Sequence, residues 1–126
     1  MFSLKMPVLA VLAMSATLLS APCARAANDA DFTLKNKTGY QIDEVYVSPT
    51  SSNNWGRDVM GRDALADGEQ VKIVFPHGSG ACVFDLKVKY HDDGSTAEWD
   101  KINLCNTDVV SIFWDAKNQV SRATFD

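Results

Sequence analysis

The sequence has few of the residues and motifs from which catalytic and nucleic-acid-binding sites are usually built. It contains two histidines and three cysteines in 126 residues, and it has no C-x-x-C, H-E-x-x-H or G-x-S-x-G pattern. It has no run of lysine and arginine, and 16 acidic residues outnumber 12 basic ones, giving a formal charge of −4. These absences disfavour a zinc protease, a serine hydrolase and a nucleic-acid-binding protein.

Long apolar runs are missing too, except near the N-terminus. A short basic start precedes an apolar run over residues 7–21 and Ala-Arg-Ala at residues 24–26, an A-x-A pattern typical of signal-peptide cleavage. The run is shorter than the roughly 20 residues that a membrane-spanning helix needs. We therefore predict a signal peptide over residues 1–26, one domain over residues 27–126, and export to the periplasm or the cell exterior without membrane insertion.

Cleavage of this segment would leave a more acidic domain. Loss of Lys5 and Arg25 leaves 10 basic and 16 acidic residues, a formal charge of −6. Because the cations are also dispersed along the chain, nucleic acids and anionic membranes are both disfavoured as partners. An acidic surface favours a cationic protein partner instead, since complementary charge speeds association.

Cys82 and Cys105 are the two cysteines that remain after cleavage. Thiol pairs in exported proteins usually oxidise, so we predict a disulfide between them. The bond would close a loop of roughly two dozen residues, for which the chain-entropy model gives about 3 kcal/mol of stabilisation. A redox or metal-binding pair is the alternative, which the missing C-x-x-C spacing disfavours.

The rest of the chain consists of short apolar runs separated by turn-forming residues, with no sustained apolar period of 3.6. The expected strands lie near residues 32–34, 40–48, 71–75, 82–90, 96–104, 109–114 and 119–125. A short helical turn is expected only within residues 57–66. This pattern predicts an all-β fold, an antiparallel two-sheet sandwich of about seven strands, with a small closed β-barrel as the alternative.

The second expected strand, residues 40–48, does not alternate cleanly. Its apolar residues Ile42, Val45 and Val47 do not keep a period of two. One extra residue in the strand would restore the alternation, so we expect a β-bulge near Glu44.

A hairpin is expected between the fourth and fifth strands. Asp93-Gly94 is typical of a two-residue type I′ turn, in which both central positions need positive φ. This turn would place Cys82 opposite Cys105, which supports the disulfide. The same register would turn polar residues of the fifth strand towards the core, so we also expect a bulge near Asp100.

Trp55 has the sequence context that most favours binding. It follows a polar loop, residues 49–54, and an exposed indole stacks on sugars or anchors protein interfaces. We predict a binding surface formed by Trp55, Arg57 and Asp58. In the alternative interpretation, the indole folds back and closes the open end of the sandwich.

Acidic residues in turns are the candidates for a metal site. Asp58, Asp63, Asp67, Asp92 and Asp93 could gather at one end of the sandwich and hold calcium through oxygen ligands. The D-x-D-x-D-G spacing is absent, however, and an arginine precedes two of these acids, which favours surface ion pairs. We therefore expect no cofactor, with calcium as the alternative.

Many of these residues also occur together in a known family. They are Asn36-Lys37-Thr38-Gly39-Tyr40, Ile42, Val45-Tyr46-Val47-Ser48-Pro49, Trp55-Gly56-Arg57-Asp58, Leu65, Gly68, Cys82-Val83-Phe84-Asp85-Leu86, Trp99 and Leu104-Cys105. In this pattern the chain resembles a family of small exported bacterial proteins of unknown function. The resemblance spans about residues 34–105 and implies a small β-domain, but it supplies no catalytic residues that can be assigned to this chain.

Some members of that family are named argininosuccinate lyase. The enzyme of that name is a large helical tetramer whose active site is assembled from several subunits and whose mobile loop carries a Gly-Ser-Ser motif. A β-domain of this size encodes none of those features. We interpret the name as a mislabel.

Together these observations predict a non-catalytic binding or protein-interaction module in the periplasm or outside the cell. The acidic charge would suit an inhibitor or immunity-type protein directed against a cationic hydrolase. A calcium- or carbohydrate-binding sandwich is one alternative. A small hydrolase that uses His77 or His91 as a general base is the other.

Overall fold

A computed structural model of the protein describes residues 30–76 and 80–126. The predicted signal peptide over residues 1–26 and the candidate base His77 lie outside these ranges. The strands are β1 (Phe32–Lys37), β2 (Ile42–Pro49), β3 (Gln70–Ile73), β4 (Val83–Tyr90), β5 (Thr96–Asn103), β6 (Val109–Asp115) and β7 (Val120–Phe125). A 3-10 turn, Leu104–Asn106, follows β5, and the described ranges contain no α-helix.

The strands form two sheets that face each other. The four-stranded sheet has the order β3-β1-β6-β7, and the three-stranded sheet has the order β2-β4-β5. The predicted two-sheet sandwich of seven strands is confirmed, and the described strands do not close into a barrel. One neighbouring pair, β1 with β6, runs parallel, while the other pairs are antiparallel.

The core lies between the sheets and is built from alternate residues of the strands. Phe32 and Leu34 of β1 and Leu86 and Val88 of β4 are at most 2% exposed. The other buried apolar residues are Ala30, Ile42, Val45, Leu65, Ile73, Phe84, Tyr90, Ile102, Leu104, Val110 and Ile112. Each buried side chain of this kind contributes roughly 1.5–3 kcal/mol, so the alternation itself holds the two layers together.

The loop between β2 and β3 runs along the outer edge of β2. Leu65 and Ile42 exchange backbone hydrogen bonds, with N···O distances of 2.8 and 2.9 Å. The prediction of a helical turn within residues 57–66 is wrong, because this segment forms tight turns without a helix. Gly56 and Gly61 have φ of 74° and 63°, in the left-handed region that interrupts a right-handed helix.

The β-bulge predicted near Glu44 is confirmed. The pairing of β2 with β4 shifts between Ile42 and Glu44. Just after the bulge, the Oδ1 of Asp58 accepts hydrogen bonds from the backbone N–H groups of Val45 and Met60, both at 2.9 Å. An aspartate from the neighbouring loop therefore satisfies an amide on the outer edge of β2.

The turn between β4 and β5 differs from the prediction. The loop has four residues, His91 to Gly94, and the N–H of Gly94 donates to the carbonyl of Tyr90 at 3.1 Å. Gly94 has φ of 72°, but Asp93 does not enter the positive-φ region, so a type I′ turn is excluded. Asp93 Oδ1 instead accepts a hydrogen bond from the N–H of Ser95 at 2.9 Å.

The bulge predicted near Asp100 is also confirmed, but the predicted register of the hairpin is wrong. Phe84 lies opposite Ile102, so Cys82 faces Leu104 and not Cys105. Asp100 and Lys101 together oppose the single residue Asp85, and Lys101 has φ of 55°. The Oδ1 of Asp85 accepts hydrogen bonds from the N–H of Lys101 at 3.0 Å and from the hydroxyl of Thr50 at 2.7 Å. Beyond the bulge Ile102 is buried and Lys101 is exposed, as the core requires.

The predicted disulfide between Cys82 and Cys105 is present, with Cα atoms 5.1 Å apart and a sequence separation of 23. It joins the start of β4 to the 3-10 turn after β5, next to a hydrogen bond from Leu104 N–H to the Cys82 carbonyl at 2.8 Å. A disulfide is compatible with an exported protein. No helix in the described ranges is long and apolar enough to cross a membrane.

Candidate functional site

The turn between β1 and β2 is fixed by a buried asparagine. Asn36 is fully buried, and its Nδ2 donates to the carbonyls of Tyr40 at 2.7 Å and Leu65 at 2.9 Å. Its Oδ1 accepts hydrogen bonds from the N–H of Thr38 at 3.0 Å and from the Thr38 hydroxyl at 2.7 Å. The amide is thus fully used, and Gly39 (φ 88°) completes a rigid turn that presents Tyr40 at one end of the sandwich.

Three aromatic side chains meet at that end. Tyr90 ends β4 in the three-stranded sheet, and Trp114 lies near the end of β6 in the four-stranded sheet. Tyr40 spans the gap, with ring centroids 6.4 Å from Tyr90 and 6.1 Å from Trp114 and interplanar angles of 77° and 87°. These are edge-to-face contacts, which aromatic pairs prefer.

The three rings border a cavity of about 340 Å³, which we call the aromatic cleft. Its lining residues are Tyr40, Tyr90, Asp92, Asp93, Ser95, Trp114 and Gln119. Tyr40 is 43% exposed, whereas Tyr90 is 7% exposed and its hydroxyl lies 2.7 Å from the Ser121 hydroxyl. Burial raises the pKa of Tyr90, so this phenol stays neutral in the wall of the cleft.

The four-residue loop between β4 and β5 places two carboxylates on the rim of the aromatic cleft. Asp92 and Asp93 are both exposed. Hydrogen bonds from the side chain and backbone of Ser95 lower the pKa of Asp93, so this carboxylate is ionised at neutral pH. None of the residues that line the cleft is basic, and its charge is therefore not neutralised from within.

An exposed ion pair ties this loop to the start of β2. The Nδ1 of His91 lies 2.9 Å from an oxygen of Asp43, and the N–H of His91 donates to the carbonyl of Gln41 at 3.0 Å. The hydrogen bond with Asp43 raises the pKa of His91. Hydrogen bonds from Gln41 and then His91 lower the pKa of Asp43. His91 therefore positions the loop that carries the two rim carboxylates.

The predicted Trp55 surface lies elsewhere, on the outer face of the three-stranded sheet. Trp55 is half-buried, and the Nζ of Lys87 lies 5.1 Å from its ring centroid and 5.1 Å from that of Tyr46. The indole thus packs over a lysine and does not close the end of the sandwich. The carboxylate of Glu44 accepts a hydrogen bond from the Tyr46 hydroxyl and raises the pKa of Tyr46 to about 12.

The three residues predicted for this surface have different roles. Trp55 borders a recess of about 140 Å³, whose other lining residues are Ser48, Ser52, Asn53, Asn54 and Asp85. Arg57 is exposed. Asp58 is turned inwards to the bulge of β2 and is engaged by backbone amides, so its carboxylate stabilises the loop.

The five acids proposed for calcium are dispersed. Asp58 lies at the edge of β2, Asp67 accepts a hydrogen bond from the N–H of Gly39 at 2.8 Å, and Asp63 is exposed in the preceding turn. Asp92 and Asp93 alone share a site, the rim of the aromatic cleft. Within residues 30–76 and 80–126, no three side chains of His, Cys, Asp or Glu come close enough to hold a metal ion together.

Sequence reasoning missed the aromatic cleft as a site. Tyr90 fits the apolar alternation of β4, and Trp114 lies in an apolar strand, so both are interpreted as core residues. Tyr90 and Trp114 contact Tyr40 because β4 and β6 both finish at the same end of the sandwich as the turn after β1. That arrangement follows from the strand order, which the sequence pattern does not give. The adjacent acids Asp92 and Asp93 were the available signal.

The aromatic cleft therefore combines three rings, two exposed carboxylates and hydroxyl groups around one opening. Such a set can stack on a flat ligand, attract a cation to the ring faces and pair with its charge. Comparison with protein-family models, with curated proteins and with solved structures gives no match.

Proposed function

We propose that this protein is a non-catalytic, exported binding module that holds a lysine or arginine side chain of a partner protein in the aromatic cleft. One observation carries the proposal. Three aromatic rings and two carboxylates, with no basic residue, line a cavity of about 340 Å³ between the ends of the two sheets. A volume of this order is typical of sites that enclose a side chain or a small ligand.

The energetic argument rests on combining two attractions. A cation over an aromatic face gains roughly 0.5–1 kcal/mol at exposed sites and about 2 kcal/mol when it is desolvated. The rim carboxylates are exposed, so their attraction is screened by salt and serves mainly to steer the cation towards the rings. Tyr40 and Trp114 supply the ring faces, and Asp92 and Asp93 supply the charge at the rim. A buried cation would therefore act as a hot spot of the interface.

The molecule already contains a related arrangement in another place. Lys87 lies between the rings of Tyr46 and Trp55, at 5.1 Å from each centroid. On that face the cation comes from the chain itself, and the site is occupied. Among the described residues, no lysine or arginine lies over the rings of the aromatic cleft or pairs with its carboxylates, which favours a cation supplied by a partner.

Charge indicates the class of partner. A domain with a formal charge of −6 after residue 26 attracts cationic proteins over distances longer than a contact. An inhibitor or immunity-type protein acting on a cationic hydrolase would use this attraction for rapid association. The disulfide and the predicted signal peptide are consistent with such a role outside the cytoplasm.

The first experiment measures binding of a minimal cation. Titration with N-acetyl-arginine amide should shift the indole N–H signal of Trp114 in ¹⁵N NMR spectra, whereas the neutral analogue N-acetyl-citrulline amide should not. The variant Asp92→Asn/Asp93→Asn should lose the response, while Asp63→Asn/Asp100→Asn, with the same change in charge elsewhere, should keep it. An equal response in the two double variants would refute the cleft as a cation site.

The second experiment tests the protein partner. Extract from the exported fraction is passed over the immobilised wild-type domain, Tyr40→Leu and Asp92→Asn/Asp93→Asn, and retained proteins are identified by mass spectrometry. A cationic hydrolase retained by wild type and lost with both variants is the expected result. If wild type and both variants retained the same proteins, the interaction would involve another surface.

Carbohydrate binding at Trp55 is the second candidate function. The recess beside its indole is lined by the polar residues Ser48, Ser52, Asn53 and Asn54, a composition that suits the hydroxyl groups of a sugar. Binding on a glycan array that is lost in Trp55→Ala and kept in Asp92→Asn/Asp93→Asn would favour this function over the aromatic cleft.

A further inference from the structure

The outer face of the four-stranded sheet collects cations that are far apart in the sequence. The strands of this sheet contain four basic residues, and all of them occupy outward positions: Lys35, Lys37, Lys72 and Arg122. The inward positions of the same strands are held by residues such as Leu34 and Ile73, which are buried. Strand pairing therefore forms a basic patch from residues that are not consecutive in the sequence.

Within the strands of this sheet, negative charge is scarce. The four strands contain one acid, Asp115, and the Nε of Arg122 lies 2.6 Å from its carboxylate. Among the described residues, no carboxylate lies within ion-pair distance of Lys35, Lys37 or Lys72. These three lysines keep their full charge for a ligand.

Exposed apolar side chains accompany the lysines. Val74, directly after β3, is 63% exposed and lies on the outer side, because its neighbours Ile73 and Phe75 pack into the core. Val120, at the start of β7, is 41% exposed. Phe113 of β6 lies beneath Lys37, whose Nζ is 5.8 Å from the ring centroid. We call Lys35, Lys37, Lys72, Val74, Phe113 and Val120 the basic face.

We infer that the basic face docks on the surface of an anionic lipid bilayer. Its lysines lie on two neighbouring strands, and its valines lie at opposite margins of the sheet, so the groups spread over an area and not along a track. A single-stranded nucleic acid is bound instead by a linear track of cations, with aromatic side chains on which its bases stack. An array of lysines on two strands, with exposed apolar side chains at the margins of the sheet, matches anionic headgroups above an acyl layer.

The acidic charge of the whole domain does not prevent this orientation. Interactions between exposed charges are screened beyond about 10 Å at 0.1 M salt. The rim carboxylates Asp92 and Asp93 lie at the end of the sandwich, and the strands of the three-stranded sheet carry the remaining strand acids on the opposite layer. A bilayer in contact with the basic face therefore interacts mainly with the lysines of that face.

The test is co-sedimentation with vesicles of phosphatidylcholine alone and of phosphatidylcholine with phosphatidylglycerol, at low and high salt. The protein is purified after export, and mass spectrometry defines its N-terminus. Wild type should bind the anionic vesicles at low salt and dissociate at high salt. Lys35→Glu/Lys37→Glu should bind at least about tenfold more weakly. The control Arg57→Glu/Arg62→Glu, with the same charge change in the loop beside β2, should bind like wild type.

A second pair of variants tests the apolar contribution without changing charge. Val74→Ser should weaken binding to anionic vesicles several-fold, whereas Val59→Ser, at a residue 42% exposed in the loop beside β2, should not. If circular dichroism shows that the glutamate variants do not fold, Lys35→Gln/Lys37→Gln and Arg57→Gln/Arg62→Gln replace them. All variants share the same N-terminal residues, so vesicle binding by that segment cancels in each comparison.

The outcomes separate the membrane from other anionic ligands. Equal loss in the matched double variants, or no binding of wild type to anionic vesicles at low salt, would overturn the proposal. Binding to a single-stranded oligonucleotide without binding to vesicles would overturn it as well and would assign the face to nucleic acid. The cation-binding cleft is tested separately, since neither rim carboxylate changes in these variants.

Discussion

The two sheets of the sandwich differ in how regularly their strands pair. The four-stranded sheet has regular pairing without register shifts, and a buried asparagine fixes the turn that leaves its central strand β1. The three-stranded sheet contains two bulges, each with an aspartate bonded to a backbone N–H beside it, and a disulfide next to the second. At the bulge in β5, the Asp85 carboxylate takes the place of a strand partner for the Lys101 N–H, so the irregular pairing leaves that group satisfied.

The outer faces of the sheets differ as much as their pairing. The strands of the four-stranded sheet carry four basic residues and one acid, whereas those of the three-stranded sheet carry three basic residues and five acids. On the three-stranded sheet Lys87 is covered by Trp55, and Lys89 lies 3.6 Å from Glu44. Two of the three cations on that sheet are thus engaged by neighbouring side chains, whereas Lys35, Lys37 and Lys72 have no carboxylate partner among the described residues.

The largest effect should come from the asparagine that fixes the turn after β1. Asn36→Ala leaves the buried N–H of Thr38 without its acceptor, a loss that costs about 1–3 kcal/mol. It also removes one of two hydrogen bonds to each of the carbonyls of Tyr40 and Leu65, which keep the Thr38 hydroxyl and the Ile42 N–H as donors. We expect the free energy of unfolding to fall by about 3 kcal/mol or more in urea titrations. Asn106→Ala, at an exposed position, should change it by about 0.5 kcal/mol or less, and equal effects would contradict this role.

Removal of the disulfide should weaken the three-stranded sheet nearly as much. Cys82→Ser/Cys105→Ser should lose about 3 kcal/mol of stability, because the unfolded chain regains the freedom of a loop with separation 23. Hydrogen exchange should accelerate more in β4 and β5 than in β1 and β6. Reductant should destabilise wild type but leave the serine variant unchanged. Alkylation of both cysteines without reductant would show that the bond is not formed.

The bulge in β5 should depend on one carboxylate. Asp85→Ala removes the acceptor for Lys101 N–H and the Thr50 hydroxyl, so we expect a loss of about 1–2 kcal/mol in thermal or urea unfolding. Asp85→Asn keeps an amide oxygen in the same place and should recover most of the loss. Asp100→Ala removes an exposed carboxylate from the same bulge and is the control. A similar loss in the two alanine variants would argue against this role.

The smallest effect should be the pH dependence of the loop beside the aromatic cleft. The pKa of His91 is raised above its ordinary value of 6.5, so the ion pair with Asp43 contributes fully below pH 6.5 and is lost as pH rises through the raised pKa. The pKa of Asp43 is lowered below 3.8, so the contribution is also lost as pH falls through that lowered value. The pair is therefore strongest between these limits.

An NMR titration of the His91 ring checks this directly. We expect the pKa of His91 to return towards 6.5 in Asp43→Asn. The signals of Asp92 and Asp93 should change over the same pH range in wild type and lose that dependence in His91→Gln. An unchanged His91 pKa in Asp43→Asn would show that the pair does not form in solution.

Local pattern was sufficient for most of the fold. The alternation of apolar residues predicted the strands and the two-sheet sandwich, and its interruptions at Glu44 and Asp100 predicted both bulges. A period of two has a fixed phase, so each break in phase marks an extra residue. Turn geometry was harder to predict: Asp93-Gly94 favoured type I′, but the Asp93 carboxylate and the N–H of Ser95 stabilise a longer loop.

The candidate sites could not be obtained in the same way. The aromatic cleft needs Tyr40, Tyr90 and Trp114 at one end of the sandwich, and the basic face needs Lys35, Lys37 and Lys72 on neighbouring strands. Both depend on which strands are neighbours, and especially on β6 returning beside β1. Alternation gives the face of a residue within its own strand but not the residues that lie next to it across the sheet.

The parallel pairing of β1 with β6 has a consequence for the order in which the chain can fold. Thr33 pairs with Val109, so one edge of β1 can be paired only when residues near the end of the chain are present. The β4–β5 pair, in contrast, is joined by a short loop. Pairings between distant segments form slowly because a long stretch of chain must be closed first. The hairpin can therefore form early, while β1 keeps an open edge until the sixth strand has been synthesised.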